Sequence, residues 1–121
     1  MKPLLQTELQ TFLKRFNNFR DAEIRSVKIL SATNIELTFA LQDSARAFDW
    51  ITLTLSFYGV SDARIVDDKK LAFVDMSEGI TLIFKDNLFA FGAGECYNIS
   101  TLKNSALYLI AENIKYQEGQ F

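Results

Sequence analysis

An α+β fold, with one N-terminal helix packed on a mainly antiparallel β-meander of about six to eight strands, is what this sequence predicts. Three observations predict it. Apolar residues at intervals of three and four are clearest near the N-terminus. From Ala22 onward the apolar period is two, and the links between the extended runs are short and polar. The meander is expected to close as a sandwich or a partly open barrel, with the helix covering one sheet face.

The helix is predicted over Pro3 to Phe16, where Leu5, Leu9, Phe12, Leu13 and Phe16 fall on one stripe and Gln6, Glu8, Gln10 and Lys14 lie opposite. Pro3 suits a first helical turn, and Asn17-Asn18 marks the end. The strands follow. Ile35, Leu37, Phe39 and Leu41 alternate with Glu36, Thr38, Ala40 and Gln42, and Ile51, Leu53, Leu55 and Phe57 alternate with Thr52, Thr54 and Ser56. Ile80, Leu82 and Phe84 repeat the pattern. Ala32-Thr33-Asn34 and Asp86-Asn87 read as hairpin turns, which makes the flanking strands antiparallel neighbours. Lys69 to Met76 fits a strand or a helical turn. Ala106 to Tyr116 fits both periods; its aromatic and β-branched residues, bounded by Ser105 and Gly119, favour a strand. Pro3 is the sole proline, and no linker or internal repeat divides the chain, so residues 1–121 read as one domain.

Composition narrows function mainly by exclusion. At 121 residues the chain can bury roughly two thirds of its unfolded surface. Hydrophobic residues at 49% with 11 Phe supply a core, and 23% charged residues keep the surface wet. No apolar run is long enough to span a bilayer, and the N-terminus turns polar too early for a signal peptide. With the lone Cys96, which cannot close an intrachain disulfide, this predicts a cytoplasmic protein without a membrane partner. Thirteen basic against 15 acidic residues, without a basic cluster, argue against nucleic acid.

Histidine is absent, which removes Ser-His-Asp and Cys-His catalysis and the commonest metal ligand. One Cys cannot build a zinc site, and Asp62 to Asp68 lacks the spacing and central Gly of a calcium loop. No metal or cofactor is expected. Acid-base catalysis by paired carboxylates would draw on Asp21 with Glu23, Asp67 with Asp68, or Glu95, but acidic residues at strand ends are more often simply solvated. Gly92-Ala93-Gly94 lacks the third glycine of a nucleotide-binding loop and reads as a bend after the strand Phe89-Ala90-Phe91. Cys96 reads as a small packed side chain. Trp50 falls on the polar parity of Thr52, Thr54 and Ser56. It packs either beneath the helix or at a sheet margin, or else it is an exposed aromatic anchor.

The segment Phe16-Asn17-Asn18-Phe19-Arg20-Asp21-Ala22-Glu23-Ile24 resembles the signature of a loosely related set of small bacterial proteins whose first strand is introduced by Phe-His-Asp-Ala-Glu-Ile or a near variant. Leu53 to Val60 is similar to their strand ending in Phe-x-Gly-Val, and Tyr108 to Tyr116 to a strand near their end. The resemblance implies an all-β or helix-plus-β domain, some relatives of which are assigned as immunity proteins that neutralise toxins by direct contact. Arg20 stands where the motif has His, so a role that needs an imidazole does not carry over. Asp21 and Glu23 could fix the strand entry by accepting backbone hydrogen bonds, with Arg20 pairing a carboxylate.

The resulting expectation is a non-enzymatic binding module whose partner is another protein, a toxin among the candidates, with Arg20, Asp21, Glu23, Trp50 and Tyr58 as contact residues. One alternative is a β-barrel enclosing a small apolar ligand among Phe39, Phe57, Phe84, Phe89 and Phe91. Another is an acid-base enzyme using the paired carboxylates. Unclosed sheet edges leave homo-oligomerisation open.

Overall fold

In the computed structural model, which describes residues 1–121, the period-two segments are strands. In chain order the elements are β1 (Lys2–Pro3), α1 (Leu9–Arg15), β2 (Glu23–Ile29), β3 (Asn34–Asp43) and β4 (Asp49–Tyr58). There follow β5 (Asp62–Arg64), β6 (Ile80–Lys85), β7 (Leu88–Ala93), α2 (Ile99–Leu102), β8 (Tyr108–Ala111) and β9 (Asn113–Gln120). Nine strands make two antiparallel sheets, one ordered β1-β9-β4-β3-β2 and the other β5-β8-β7-β6, and neither closes into a barrel. The count exceeds the expected six to eight because β1 and β5, of two and three residues, are too short to show a period.

Register explains the alternation. Leu37 pairs with Leu55, Phe39 with Leu53 and Leu41 with Ile51, so the apolar parities of β3 and β4 share one face. The second sheet meets that face: Phe91 lies 5.4 Å from Phe57 and 6.3 Å from Phe39, ring centre to ring centre, and all three rings are fully buried. Each such ring stabilises the fold by about 2–3 kcal/mol through burial alone. These rings fill the space the ligand-barrel alternative assigned to a cavity; Phe89 is also buried, and Phe84 meets it edge to face at 4.8 Å. The outer face of β3 and β4 carries Thr38 and Thr54, whose hydroxyls are 3.2 Å apart.

The N-terminal helix is shorter than Pro3 to Phe16. Lys2 and Pro3 pair with Tyr116 and Lys115, and the Leu4 N–H donates to the Ile114 carbonyl at 2.9 Å. Pro3 lacks an N–H and suits an edge strand as well as a helical first turn. Tied to β9 in this way, the chain turns through a 3-10 segment at Gln6–Glu8 before α1 begins, and Leu5 is left exposed rather than on the packed stripe. Phe12 still covers the core face, 5.1 Å from Tyr116.

Both hairpins form where the links were short, and Asp86 and Asn87 take the positive φ values of 53° and 63° that such a two-residue turn needs. Lys69 to Met76 begins inside a 3-10 turn, Asp68–Phe73, whose Asp68 carboxylate accepts the Val27 N–H at 3.2 Å on the outer edge of β2. The stretch Ala106 to Tyr116 is extended as favoured, but it is two strands. β8 pairs with β7 and β5, whereas β9 pairs with β4 and β1 in the other sheet. The chain changes sheets at Glu112, whose N–H donates to the carbonyls of Tyr58 and Gly59 at 3.0 and 3.3 Å. Gly92 lies inside β7, where a Cβ would come within 2.7 Å of Leu102; that close approach lets α2 seat Leu102 fully buried on the outer face of the second sheet.

Candidate functional site

Asp43 continues the core-facing parity of Leu37, Phe39 and Leu41, yet it is a carboxylate with no exposed surface. A buried charge needs a partner, and Arg15 at the end of α1 supplies it. The Arg15 Nε and Nη2 donate to the two Asp43 oxygens at 2.9 and 2.7 Å, a bidentate pair. The Arg15 Nη1 donates to Glu118 at 3.1 Å, and Arg46 reaches Glu118 at 2.8 Å and Asp43 at 3.5 Å. Asp43 Oδ1 also accepts the Ala45 N–H, and Ser44 Oγ donates to the Arg15 carbonyl at 2.7 Å.

This network locks α1, the β3–β4 turn and β9 together. The Arg15 hydrogen bonds hold the Asp43 carboxyl below its ordinary range against the opposing effect of burial. Burial would push Glu118 up, but the hydrogen bond and charge of Arg15, the charge of Lys2 and the hydrogen bond of Arg46 outweigh it, and Glu118 is also lowered. Arg15 is raised in turn, chiefly by its hydrogen bond to Asp43.

Against this rigid corner lies a groove of about 520 Å³ between the end of α1, the segment after it and the β3–β4 turn. Its lining includes Lys14, Arg15, Arg20, Asp21, Phe48 and Trp50. The segment after α1 is unusual in backbone: Asn17, Asn18, Phe19 and Asp21 all have φ between 53° and 62°. Left-handed conformations of non-glycine residues cost about 1–2 kcal/mol each and persist where surroundings enforce them. Here Phe19 is fully buried, 5.1 Å from Phe39 and 5.8 Å from Phe16. The Asp21 N–H donates to the Met76 carbonyl at 2.8 Å, and Gly79, at φ +74°, packs so closely that a Cβ would sit 1.9 Å from the Asn18 carbonyl oxygen. In the nine-residue segment from Phe16 to Ile24, Phe16, Phe19, Ala22 and Ile24 are buried, whereas Arg20, Asp21 and Glu23 face solvent.

The five residues singled out in the sequence separate into three places. Arg20, Asp21 and Trp50 meet in the groove. Glu23 lies on β2 and pairs with Arg25 at 3.2 Å. Tyr58 is at the opposite end of β4 from Trp50, under the Lys115 ammonium at 5.1 Å, and lines a separate cleft of about 590 Å³ with Leu5, Phe84 and Glu112. Neither Asp21 nor Glu23 accepts a backbone hydrogen bond through its side chain, and Arg20 reaches the Asn17 amide oxygen at 3.5 Å instead of a carboxylate. Trp50 is on the outer sheet face at the margin, 44% exposed, with its ring 5.8 Å from Phe121, over which Arg25 lies at 4.9 Å.

Lys14 and Phe48 were not foreseen as groove residues. Phe48 sits at φ 65° in the β3–β4 turn and is 63% exposed, an aromatic where a turn would ordinarily place a polar residue. That misplacement was visible in the sequence, as was a carboxylate at Asp43 on an apolar parity. The remaining acidic candidates serve local structure or lie in solvent: Asp67 accepts the Lys69 N–H at 2.9 Å, Asp68 binds β2 as described, and Glu95 is exposed. Cys96 is a half-buried free thiol whose N–H donates to Thr81 Oγ1 at 2.9 Å. No helix is long and apolar enough to cross a membrane. Comparison with protein-family models, with curated proteins and with solved structures finds no match to the chain.

Proposed function

We propose that the chain is a non-enzymatic binding module that docks to another protein, as do those members assigned as immunity proteins in the set of small bacterial proteins that its Phe16 to Ile24 segment resembles, and that the groove beside Arg15 is its contact surface. One observation carries the reading. Exposed Phe48 and Trp50 share a groove with Lys14 and Arg20, neither of which pairs with a carboxylate. Aromatic and arginine side chains dominate the energetics of protein interfaces, and a site held by a fixed ion-pair network binds without first having to order itself. A cytoplasmic setting suits the lone thiol of Cys96.

The test compares partner capture from native lysate by the wild-type chain and by a Phe48→Ser/Trp50→Ala variant of equal melting temperature. The reading expects a stoichiometric protein partner whose affinity for the variant is at least about tenfold lower, the loss typical of removing interface anchors. Equal capture by the variant would move the interface elsewhere. A second reading, a small-ligand carrier, draws on the 590 Å³ cleft at Tyr58, whose size lies in the range of small-molecule sites. Native mass spectrometry showing a retained small molecule and no protein partner would favour it.

A further inference from the structure

Resting on the docking reading, we infer that the groove takes an extended acidic segment of the partner protein, with an apolar side chain against Phe48 and Trp50 and carboxylates leading away past Arg20 and Lys14. The argument starts from the shape. A second depression of about 520 Å³, lined by Gln10, Thr11, Lys14, Asn17 and Asn18, shares Lys14 and Asn17 with the groove. The two adjoin at these residues and together give a trough-like surface, aromatic-lined in one part and polar in the other. The polar end has no apolar lining residue and no carboxylate, only an ammonium, a hydroxyl and side-chain amides that can donate.

Charge sets the class of occupant. The chain as a whole is acidic, 15 against 13, yet Asp21 is the single carboxylate along the whole trough. Arg15 is already neutralised by Asp43 and Glu118, and Lys14 and Arg20 form no ion pair, so two unpaired cations face the single carboxylate of Asp21. Asp21 cancels one of them in the aromatic part, which leaves Lys14 and the amides as the place where the occupant's carboxylates gather. The Arg15 carbonyl at the end of α1 accepts from Ser44 Oγ. A net excess of one cation on an acidic chain suits an acidic peptide better than a nucleic acid, whose backbone draws its affinity from a row of Lys and Arg contacts.

The probe is an acetylated, amidated peptide of alternating Glu and Ser ending in Phe, compared with its Gln counterpart and with a short oligothymidylate. Trp50 is the only tryptophan, so its emission reports the aromatic end, and the amide resonances of residues 10–21 report the polar end. The inference expects saturable binding of the Glu peptide alone, weakened about tenfold when salt is raised to screening concentrations. The Lys14→Glu/Arg20→Glu and Lys14→Gln/Arg20→Gln variants, both altered only at exposed positions, are expected to lose it at unchanged melting temperature. Equal binding of the Gln peptide, unchanged affinity of the charge variants, tighter binding of the oligonucleotide, or no binding of any probe would each overturn the acidic preference. The docking reading falls separately, if the Phe48→Ser/Trp50→Ala variant captures the partner as well as wild type.

Discussion

Replacing Asp43 by Asn is expected to destabilise the fold by about 2 kcal/mol, although the change removes one charge and almost no volume. Arg15 gives Asp43 two charge-assisted hydrogen bonds, at 2.9 and 2.7 Å, and Asp43 has no exposure to water through which to recover them. Each bond of this kind contributes about 1.5–3 kcal/mol. The sum is discounted because Arg15 is a quarter exposed and keeps Glu118, and because Asn retains an oxygen for the Ala45 N–H. Asp43→Ala loses that acceptor as well and is expected to cost about 3 kcal/mol. Urea unfolding of wild type, each single variant and the double variant with Glu118→Gln measures the costs and their coupling, which should exceed about 1 kcal/mol for groups sharing one guanidinium. The pH dependence provides an independent arm. Asp43 and Glu118 are both lowered in the folded chain, so the unfolded state takes up protons first. Their stabilisation is complete above the unfolded values, near pH 4 to 4.5, and drains away as pH falls through the folded ones. Wild type should therefore lose stability below about pH 4.5 more steeply than Asp43→Asn. A loss under about 0.5 kcal/mol for the Asn variant, strict additivity with Glu118→Gln, or parallel acid profiles would refute the reasoning.

The remaining expectations concern packing and exposure. Gly79→Ala forces a Cβ to 1.9 Å from the Asn18 carbonyl oxygen at a positive φ, and should cost about 3 kcal/mol in denaturant unfolding while shifting the Arg20 and Asp21 amide resonances. Phe91→Ala removes the ring that joins the two sheets and should cost about 3–5 kcal/mol by the same measurement. The emission of Trp50 should be that of a partly hydrated indole and readily quenched by acrylamide; a blue-shifted, unquenched spectrum would contradict its place on the outer face.

How much of this was legible in the residues depends on how far each signal reaches. Alternation along Ile35 to Leu41 and Ile51 to Phe57 is a property of each strand by itself, and it located both strands and their buried faces. The helix start was misread because Pro3 satisfies a helical first turn and an edge strand equally. The choice was made by the Leu4 hydrogen bond to Ile114, a partner distant in sequence. The division of Ala106 to Tyr116 between two sheets was hidden for the same reason, since the polar pair Glu112-Asn113 does not by itself mark a strand break and the bend at Glu112 is held by the distant carbonyls of Tyr58 and Gly59. For the site, the Phe16 to Ile24 resemblance led to Arg20 and Asp21, whereas Lys14 and Phe48 join them only through the fold. Trp50 and Tyr58 flank the strand predicted over Ile51 to Phe57, so their separation to opposite ends of β4 was legible, whereas the depression each one lines was set by elements distant in sequence.

The sheet order carries a consequence for how the chain reaches its native state. β9 fits between β1 and β4, so during synthesis the inner edge of β4 stands open, its amides and carbonyls unmatched, until the entire second sheet has been made. A nascent chain stalled or clipped before Asn113 would therefore display a long apolar ribbon with a free hydrogen-bonding edge, the form of polypeptide most prone to self-association. Chaperone dependence and inclusion-body formation should rise sharply when β9 is withheld and fall when it is supplied as a separate peptide.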